Sequence, residues 1–460
     1  MDILTSKGKA KECFDRLKKH NDKLNNIVTF VEPKSEGKGV LSDIPYAMKD
    51  NFSTKGIKTT GCCNLLNNYV PVFDSTVYKK LKDAGAVLVA KTSMDELAMG
   101  GTNKYSNIGP CRNPYDLNRI SGGSSGGSAT AVAAGDVPFA LGSDTGDSVR
   151  KPASFCGVVG VKPTYGRISR YGVIPYASSL DHVGYFTSNV KDAALLLEVL
   201  AGRDDNDYTS SDEKVLEYSK LLNSDIKNKK ILVFKNVADT VANEDIKTSF
   251  NTLIDSLKKK GAIVEEVSFN EELLKAIFPT YYVISNAEAT ANHSNLSGLL
   301  FGDTKDGESV DEIMMNTRTN GFNSYVKKRF VIGSYALKAD NQDKIFRKAQ
   351  KIRRLIVDEI MSKLKNADAL IAPAASDVAP LINGDNTIDQ LSNTYLIADN
   401  YMAIANFAGL PSITLPLGYS SNLPFGVNIT CNLFKEDIMF NISQAVEDIT
   451  GLKDKVKEDF

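Results

Sequence analysis

Two hydrophobic periodicities alternate along this chain. In some stretches apolar residues recur every three or four positions, which predicts amphipathic helices, and between them lie short apolar runs that predict buried strands. Helices that alternate with buried strands are typical of an α/β fold around a large sheet. The predicted helices cover residues 8–20, 74–82, 128–135, 243–260 and 343–365. The predicted strands cover residues 27–31, 44–50, 86–90, 137–142, 229–235, 262–269, 368–374 and 411–418.

Local signals refine this prediction at a few points. The pair Asp74-Ser75 is typical of a helix N-cap, and Gly85 is typical of a helix end. The strand, helix and strand predicted over 229–269 form a β-α-β unit, whereas residues 204–228 are polar and loop-like. No internal repeat or domain boundary is visible, so we expect residues 1–460 to form one domain.

Glycine, serine and alanine dominate residues 100–172, and no charged residue lies between Arg119 and Asp136. A flexible linker is the alternative interpretation, but linkers lack the apolar helix and strand patterns seen at 128–135 and 137–142. We therefore interpret the segment as a close-packed central unit in which the backbone itself approaches a ligand.

Composition excludes several classes of protein. The 460 residues include 55 basic and 56 acidic side chains, so the net charge of −1 gives no overall attraction to nucleic acid. We interpret the lysines and arginines of residues 343–365 as a solvated helix face, with a nucleic-acid patch as the alternative. No apolar run is long enough to span a membrane. Six cysteines are too few for a disulfide scaffold, which favours a reduced, cytoplasmic protein.

The chain has only three histidines, His20, His182 and His293, and its cysteines lack the spacing of a zinc site. We therefore predict no metal site. Residues 122–126 satisfy G-x-S-x-G, the nucleophile motif of α/β-hydrolases, but that fold also needs a downstream acid and histidine. In a Gly/Ser-rich segment so short a motif is weak evidence.

A serine paired with a neutral lysine is the chemistry that suits a histidine-poor chain. Lysine is neutral near pH 7 only if its pKa falls by roughly 3 units, which burial can cause. Lys49 follows the apolar run IPYAM, so the sequence predicts that this lysine lies inside the protein.

Two long motifs carry a family resemblance. The segments CRNPYDLNRISGGSSGGSATAVAAG and LGSDTGDSVRKPASFCGVVGVKPTYGRISRYG, beginning at Cys111 and Leu141, resemble the amidase signature family. The resemblance runs from about Pro45 to about Glu447 and implies that family's fold, a large mixed sheet flanked by helices. The segments 287–292, 326–337 and 398–418 resemble one branch, the A subunits of aspartyl/glutamyl-tRNA amidotransferases.

The resemblance implies a Ser–cis-Ser–Lys triad in a catalytic core at about 45–200. Its lysine falls on Lys49, its middle serine on Ser124, after a cis peptide bond, and its nucleophile on Ser148. Lys49 would take the proton relayed through Ser124 while Ser148 attacks a carboxamide. The oxyanion would bind the backbone N–H groups of Thr145, Gly146, Asp147 and Ser148.

The branch resemblance implies glutamine as the amide donor, held by elements within about 229–447. Arg329 would bind the glutamine carboxylate and Asp399 its ammonium; Tyr282 would line the same pocket, although Tyr281 is an equally good match. The implied enzyme is a glutaminase subunit that passes ammonia to partner B and C subunits. The partner would bind charged tRNA, ATP and Mg²⁺, and this chain would need no cofactor.

One position departs from the family pattern, because Asp147 stands where a second glycine usually precedes the nucleophile. If this position requires a positive φ, aspartate costs about 1–2 kcal/mol, and its carboxylate would oppose the oxyanion unless Arg150 or Lys151 pairs with it. Two alternatives therefore stay open: a stand-alone amidase for small or acyl amides, and a catalytically weakened scaffold subunit.

Overall fold

The strands of the computed structural model form one large mixed sheet and a small hairpin. The structure describes residues 3–35, 37–384 and 392–460. The strands are β1 (Ile27–Phe30), β2 (Pro45–Lys49), β3 (Val87–Thr92), β4 (Arg112–Asn113), β5 (Asp116–Ile120), β6 (Phe139–Asp144), β7 (Val159–Lys162), β8 (His182–Thr187), β9 (Lys230–Phe234), β10 (Ile263–Val267), β11 (Ala369–Pro373), β12 (Ser412–Ser420) and β13 (Leu423–Cys431).

Helices pack on both faces of the sheet. The α-helices are α1 (Ala10–Leu24), α2 (Thr76–Asp83), α3 (Gly126–Ala133), α4 (Arg150–Cys156), α5 (Val190–Leu200), α6 (Tyr218–Leu221), α7 (Lys235–Thr240), α8 (Glu244–Lys259), α9 (Glu271–Lys275), α10 (Ile277–Asn292), α11 (Val310–Gly321), α12 (Ser324–Leu337), α13 (Ala339–Asn341), α14 (Arg347–Leu364), α15 (Ala403–Phe407) and α16 (Glu436–Thr450). Short 3₁₀ turns lie at Leu4–Ser6, Asn64–Leu66 and Glu96–Ala98, and π-helical turns at Gln342–Phe346 and Thr394–Ala398.

The large sheet has eleven strands within the described residues, in the order β1-β3-β2-β6-β8-β7-β12-β13-β11-β9-β10. Neighbours β3, β2 and β6 are parallel, as are β11, β9 and β10, whereas the strands from β6 through β11 alternate in direction. The large mixed sheet expected from the family resemblance is therefore confirmed.

One apolar core lies under α5, α8 and α16, and it includes Leu197, Phe250 and Phe440. A second core lies on the opposite side of β9 and β11, under α10 and α14, and it includes Ile284 and Ile360. Both cores exclude water from the sheet, and burial of this apolar surface is the main force that stabilises the layers.

The two parallel strands β2 and β6 position the chemistry. Ala47 pairs with Ala140 and Met48 with Leu141, so both strands end at the same edge of the sheet. Lys49, the last residue of β2, therefore lies beside the end of β6. The chain then turns through residues 145–149 into α4, which packs against β7, β12 and β13.

Most predicted elements are confirmed, with displaced ends. The helix predicted at 8–20 is α1, and the β-α-β unit predicted over 229–269 contains the parallel pair β9 and β10. Ser75 is the N-cap residue of α2, as predicted, but its side chain makes no capping hydrogen bond among the described residues. The Asp74 carboxylate accepts from the Lys55 N–H. The segment 204–228 contains one short helix, α6.

No helix among the described residues combines the length and the apolar character that crossing a bilayer requires.

Candidate active site

Lys49 is fully buried at the end of β2, surrounded by hydroxyl groups. Its Nζ lies 2.8 Å from both Ser124 Oγ and Ser125 Oγ, 2.9 Å from Ser143 Oγ and 3.3 Å from the Ser143 carbonyl oxygen. Hydroxyl groups hydrogen-bond a neutral amine as well as an ammonium group, because each can donate or accept. The surroundings of this lysine therefore suit a group that changes its protonation state.

Burial lowers the pKa of Lys49 from 10.5 to about 7, although the carboxylates of Asp95, Asp144 and Asp181 act in the opposite direction. These three carboxylates act from a distance, because none of them forms an ion pair with Lys49 among the described residues. The burial that the apolar run before Lys49 predicts is thus confirmed, and a lysine with a pKa near 7 is suited to act as a base.

The serine segment reaches Lys49 from the N-terminus of α3. The peptide bond between Gly123 and Ser124 is cis, as the family resemblance implies. The Ser125 hydroxyl donates to the Ser143 carbonyl oxygen at 3.0 Å, so its proton is already committed. The Ser124 Oγ accepts from Lys49, and its own proton has no acceptor among the described hydrogen bonds, so this hydroxyl can pass a proton to the lysine when the amine is neutral.

Ser148 lies in the turn between β6 and α4 and is 3% exposed. The Ser125 N–H donates to the Ser148 carbonyl oxygen at 3.2 Å, which ties this turn to the serine segment. Within the described part of the chain, the N–H groups of residues 145–148 donate no hydrogen bond to a protein acceptor. These amides are therefore available to an oxygen that develops negative charge beside Ser148.

A buried arginine fixes the shape of this turn. Arg150 forms an ion pair with Asp144, with 2.9 Å between Nη2 and Oδ1, and it also donates to the Gly146 carbonyl oxygen at 2.8 Å. Asn406 bonds both partners, accepting from Arg150 at 2.6 Å and donating to Asp144 at 2.9 Å. Although burial opposes it, the guanidinium holds the pKa of Asp144 well below its usual range. Because the Gly146 carbonyl is held on the arginine, the peptide groups of the turn are fixed in orientation.

Asp147 does not have the positive φ that the sequence analysis considered, so its backbone carries no left-handed strain. Of the two cations considered, Lys151 is the partner, with 3.9 Å between Nζ and Oδ2, whereas Arg150 is committed to Asp144. Burial raises the pKa of Asp147 to about 6, with Lys151 opposing and the carboxylates of Asp144 and Asp399 reinforcing the shift.

Tyr281 of α10 packs directly on the turn. A Cβ added at Gly146 would lie 2.9 Å from Tyr281 Cζ, so only glycine fits here without movement of the ring. Its neighbour Tyr282 lies under the Arg329 guanidinium, with 5.0 Å from Cζ to the ring centroid. The structure thus places Tyr282 against the arginine and Tyr281 against the turn of residues 145–149, which we call the nucleophile turn after the predicted role of Ser148.

Arg329 of α12 is buried without a carboxylate partner among the described residues. It donates to the hydroxyls of Tyr176 and Tyr325, the second at 2.8 Å, and its Nε has no partner among the described residues. A buried cation without a counterion is costly, and arginine binds carboxylates with two parallel hydrogen bonds. The site is therefore suited to a ligand that carries a carboxylate.

Asp399 lies close enough to Asp147 for its charge to help raise the pKa of that carboxyl. One carboxylate oxygen accepts from the N–H and hydroxyl of Ser376, at 3.2 and 2.7 Å, and the Lys151 Nζ donates to the Asp399 carbonyl oxygen at 2.8 Å. Its carboxylate forms no ion pair with the described residues, so its charge is available to a ligand cation. Arg329 and Asp399 together offer the two charges that a free amino acid needs.

Neither candidate histidine of the α/β-hydrolase alternative contacts the serines. The His182 Nδ1 bonds the Leu180 carbonyl oxygen at 2.7 Å, and His293 is buried beside Phe330. Burial lowers the pKa of His182 well below 6.5 and that of His293 to about 3. The hydrogen bonds of the described residues thus connect Lys49, not histidine, to Ser124.

Comparison with known proteins identifies the family of this chain. A family model described as Amidase matches residues 10–439. The chain belongs to the amidase family. The A subunit of glutamyl-tRNA(Gln) amidotransferase from Fusobacterium nucleatum is 42% identical to this amidase over 453 residues, covering 95% of this chain and 92% of that one.

Solved structures of amidases have the same fold. The A subunit of glutamyl-tRNA(Gln) amidotransferase from Thermotoga maritima superposes with a TM-score of 0.83 at 37% identity, covering 97% of this chain and 94% of that one. A bacterial aryl acylamidase of the amidase signature family superposes with a TM-score of 0.81 at 22% identity, covering 100% and 96% of the two chains. The second likeness shows the shared fold alone.

The structure adds to this amidase site two residues that the sequence analysis did not select, Ser143 and Asn51, and gives Arg150 a different role from the one considered there. Ser143, Asn51 and Arg150 contact the base, its hydroxyl shell or the nucleophile turn. Ser143 lies within the same motif as Ser148, so the motif could have indicated that Ser143 belongs to the site. No local sequence pattern predicts the contact of Arg150 with Asn406, because 256 residues separate them.

Proposed function

We propose that this chain is the glutaminase subunit of a tRNA-dependent amidotransferase. Lys49, Ser124 and Ser148 form its catalytic triad, and the amides of residues 145–148 form its oxyanion hole. The observation that carries glutamine as substrate is the buried Arg329, whose charge has no counterion among the described residues, together with the available carboxylate of Asp399. The names of the similar A subunits support the same assignment.

In the acylation step, neutral Lys49 accepts a proton from the Ser124 hydroxyl, which takes the proton of Ser148. The Ser148 oxygen attacks the carboxamide carbon, and the oxyanion binds the free amides of the turn, each worth about 2.7–4 kcal/mol in the transition state. The relay then runs in reverse, protonates the leaving nitrogen and releases ammonia. A γ-glutamyl ester of Ser148 remains.

Water completes the cycle along the same relay. Lys49 takes a proton from water through Ser124 while the water oxygen attacks the ester carbon, and Ser148 regains its proton as the ester bond breaks. The water attacks from the side that ammonia has left. Arg329 and Asp399 hold the glutamyl group in place during both steps.

Ammonia is then used on partner subunits. We assign charged tRNA, ATP and Mg²⁺ to B and C subunits in the cytoplasm, where Glu-tRNA(Gln) or Asp-tRNA(Asn) is amidated. The net charge of −1 supports a chain that does not bind tRNA by itself. The steps derived for this chain use side chains and backbone amides alone.

Trapping the acyl-enzyme tests the assignment. A glutamine analogue with an electrophilic ketone in place of the carboxamide should label the co-expressed complex at Ser148, as mapped by mass spectrometry. Ser148→Ala should prevent the label, and Arg329→Lys should weaken labelling by about 10-fold or more, because lysine cannot bind the carboxylate bidentately. Label on another serine or on a histidine would contradict the triad.

The same variants separate the alternatives. A stand-alone amidase would hydrolyse simple acyl amides as well as glutamine and would be insensitive to Arg329→Lys. A weakened scaffold subunit, which Asp147 keeps open, would take no label and release no ammonia from glutamine. In that case Asp147→Gly should increase glutamine hydrolysis, and finding no gain would count against the scaffold alternative.

A further inference from the structure

A cavity of about 220 Å³ is lined by Ser143, which accepts a hydrogen bond from Lys49, and by Asp181, which accepts one from the Thr145 hydroxyl. Its walls include Asn51, Ser143, Asp181 and His182, and it reaches the exposed Asn206 at the surface. Neither Ser124, Ser148 nor Arg329 lines it. We call it the rear cavity.

The rear cavity is built to hold water. The Asn51 Oδ1 and the His182 Nε2 are buried and have no hydrogen-bond partner among the described residues. The His182 Nδ1 must donate to the Leu180 carbonyl oxygen, so Nε2 of the neutral ring is an acceptor. Water occupies a cavity of this size when two or more polar groups face it.

Ser143 joins this cavity to the base. Its Oγ accepts from Lys49 at 2.9 Å and from Asn51 Nδ2 at 3.0 Å. Its own hydroxyl proton has no acceptor among the hydrogen bonds of the described residues, and the residue lines the rear cavity. A proton can therefore pass from Lys49 to the Ser143 hydroxyl, and from that hydroxyl to water in the cavity. Ser125 cannot do the same, because its proton is committed to the Ser143 carbonyl oxygen.

The proposed reaction leaves one proton to dispose of. Acylation breaks the C–N bond, forms the ester and returns the Ser148 proton to nitrogen, so neutral ammonia leaves. Hydrolysis of the ester then yields a γ-carboxylic acid, whose ordinary pKa of about 4.3 lies below that of Lys49. The sum is glutamine plus water giving glutamate anion, ammonia and one proton, which passes to Lys49. The next cycle requires that Lys49 lose it.

We propose that Ser143 relays this proton from Lys49 to water in the rear cavity, which returns the lysine to its neutral form while product still fills the glutamine side. The inference rests on the proposed function, because only ammonia that leaves uncharged makes an outward path necessary. Ser143 thereby has a catalytic role distinct from that of Ser124, which serves the nucleophile.

Transfer to hydroxylamine separates this role from a structural one. Glutamine plus hydroxylamine gives the γ-glutamyl hydroxamate and ammonia with no net proton, whereas hydrolysis releases one. In the full complex, Ser143→Ala should lower the rate of glutamate formation by about 10-fold or more and the rate of hydroxamate formation by less than about 3-fold. Ser143→Thr keeps the hydroxyl and should retain both rates within about 3-fold.

Two further variants complete the test. Ser125→Ala removes a lysine-bound hydroxyl that cannot relay, so it should slow both reactions by the same factor. Val173→Phe fills the rear cavity from a partly exposed wall and should repeat the selective loss of hydrolysis. Equal losses in both reactions for Ser143→Ala, or no loss, would overturn the relay. A parent complex that makes neither product from glutamine would instead contradict the proposed function.

Discussion

Burial of the Lys49 amine lowers the stability of the folded protein, and the substitution Lys49→Met measures by how much. Methionine has a similar length and no charge, so it fills the same space at the end of β2. Its effect on the free energy of unfolding at one pH combines packing, lost hydrogen bonds and charge. The change of that effect with pH isolates the charge, because the other contributions do not titrate.

The magnitude follows from the two pKa values of Lys49. The value is 10.5 in the unfolded chain, and burial lowers it to about 7 in the folded protein. Between these pH values the unfolded state binds the additional proton, so the stability of the parent rises with pH and is lowest below pH 7. At about 1.4 kcal/mol per unit the full range is about 5 kcal/mol, of which about 2 kcal/mol falls between pH 7 and pH 9.

Urea denaturation of parent and variant at pH 7, 8 and 9 measures this difference. We expect Lys49→Met to gain stability over the parent at pH 7, and that gain should shrink by about 2 kcal/mol by pH 9. Groups distant from Lys49 titrate alike in both proteins and cancel. A difference that stays constant from pH 7 to pH 9 would refute a neutral lysine in the folded state, because a lysine charged in both states leaves no slope.

Three further predictions concern catalysis. The rate of glutamine hydrolysis should rise about tenfold between pH 6 and pH 8, because Lys49 becomes neutral over this range. Lys49→Arg should abolish hydrolysis, since arginine stays charged. A rate that does not change with pH would contradict a lysine base. With Asp147→Gly, the acylation rate relative to the parent should rise by about 3-fold or more from pH 5.5 to pH 8, because the Asp147 carboxylate ionises near pH 6 beside the oxyanion. A constant ratio would show that this carboxylate points away. Gly146→Ala should lower kcat by about 100-fold through contact with Tyr281, with partial recovery in the double variant Gly146→Ala, Tyr281→Ala.

Local patterns were sufficient to predict most of the sheet and the place of the base. The run before Lys49 is apolar at every position, so the strand that carries this lysine had to be buried, and it is. The β-α-β unit around α8 was equally clear, because a buried strand, an amphipathic helix and a second strand follow each other directly. These features depend on neighbours in sequence.

The remaining parts of the site depend on contacts between distant segments. The role of Ser143 follows from the pairing of β2 with β6, which no local pattern specifies. The choice between Tyr281 and Tyr282 depends on how α10 is rotated about its axis, and apolar residues on several of its sides leave that rotation undetermined from sequence. For the same reason, the sequence does not determine which cation pairs with the Asp147 carboxylate. In the structure Arg150 pairs with Asp144 instead.

The contacts of Arg150 also determine when, during synthesis, the nucleophile turn can first be held in its final shape. Arg150 reaches Met402 and Asn406, so the nucleophile turn has its supporting contacts only after nearly nine-tenths of the polypeptide has left the ribosome. A nascent chain can carry Lys49, Ser124 and Ser148 long before that point without a fixed set of amides beside them.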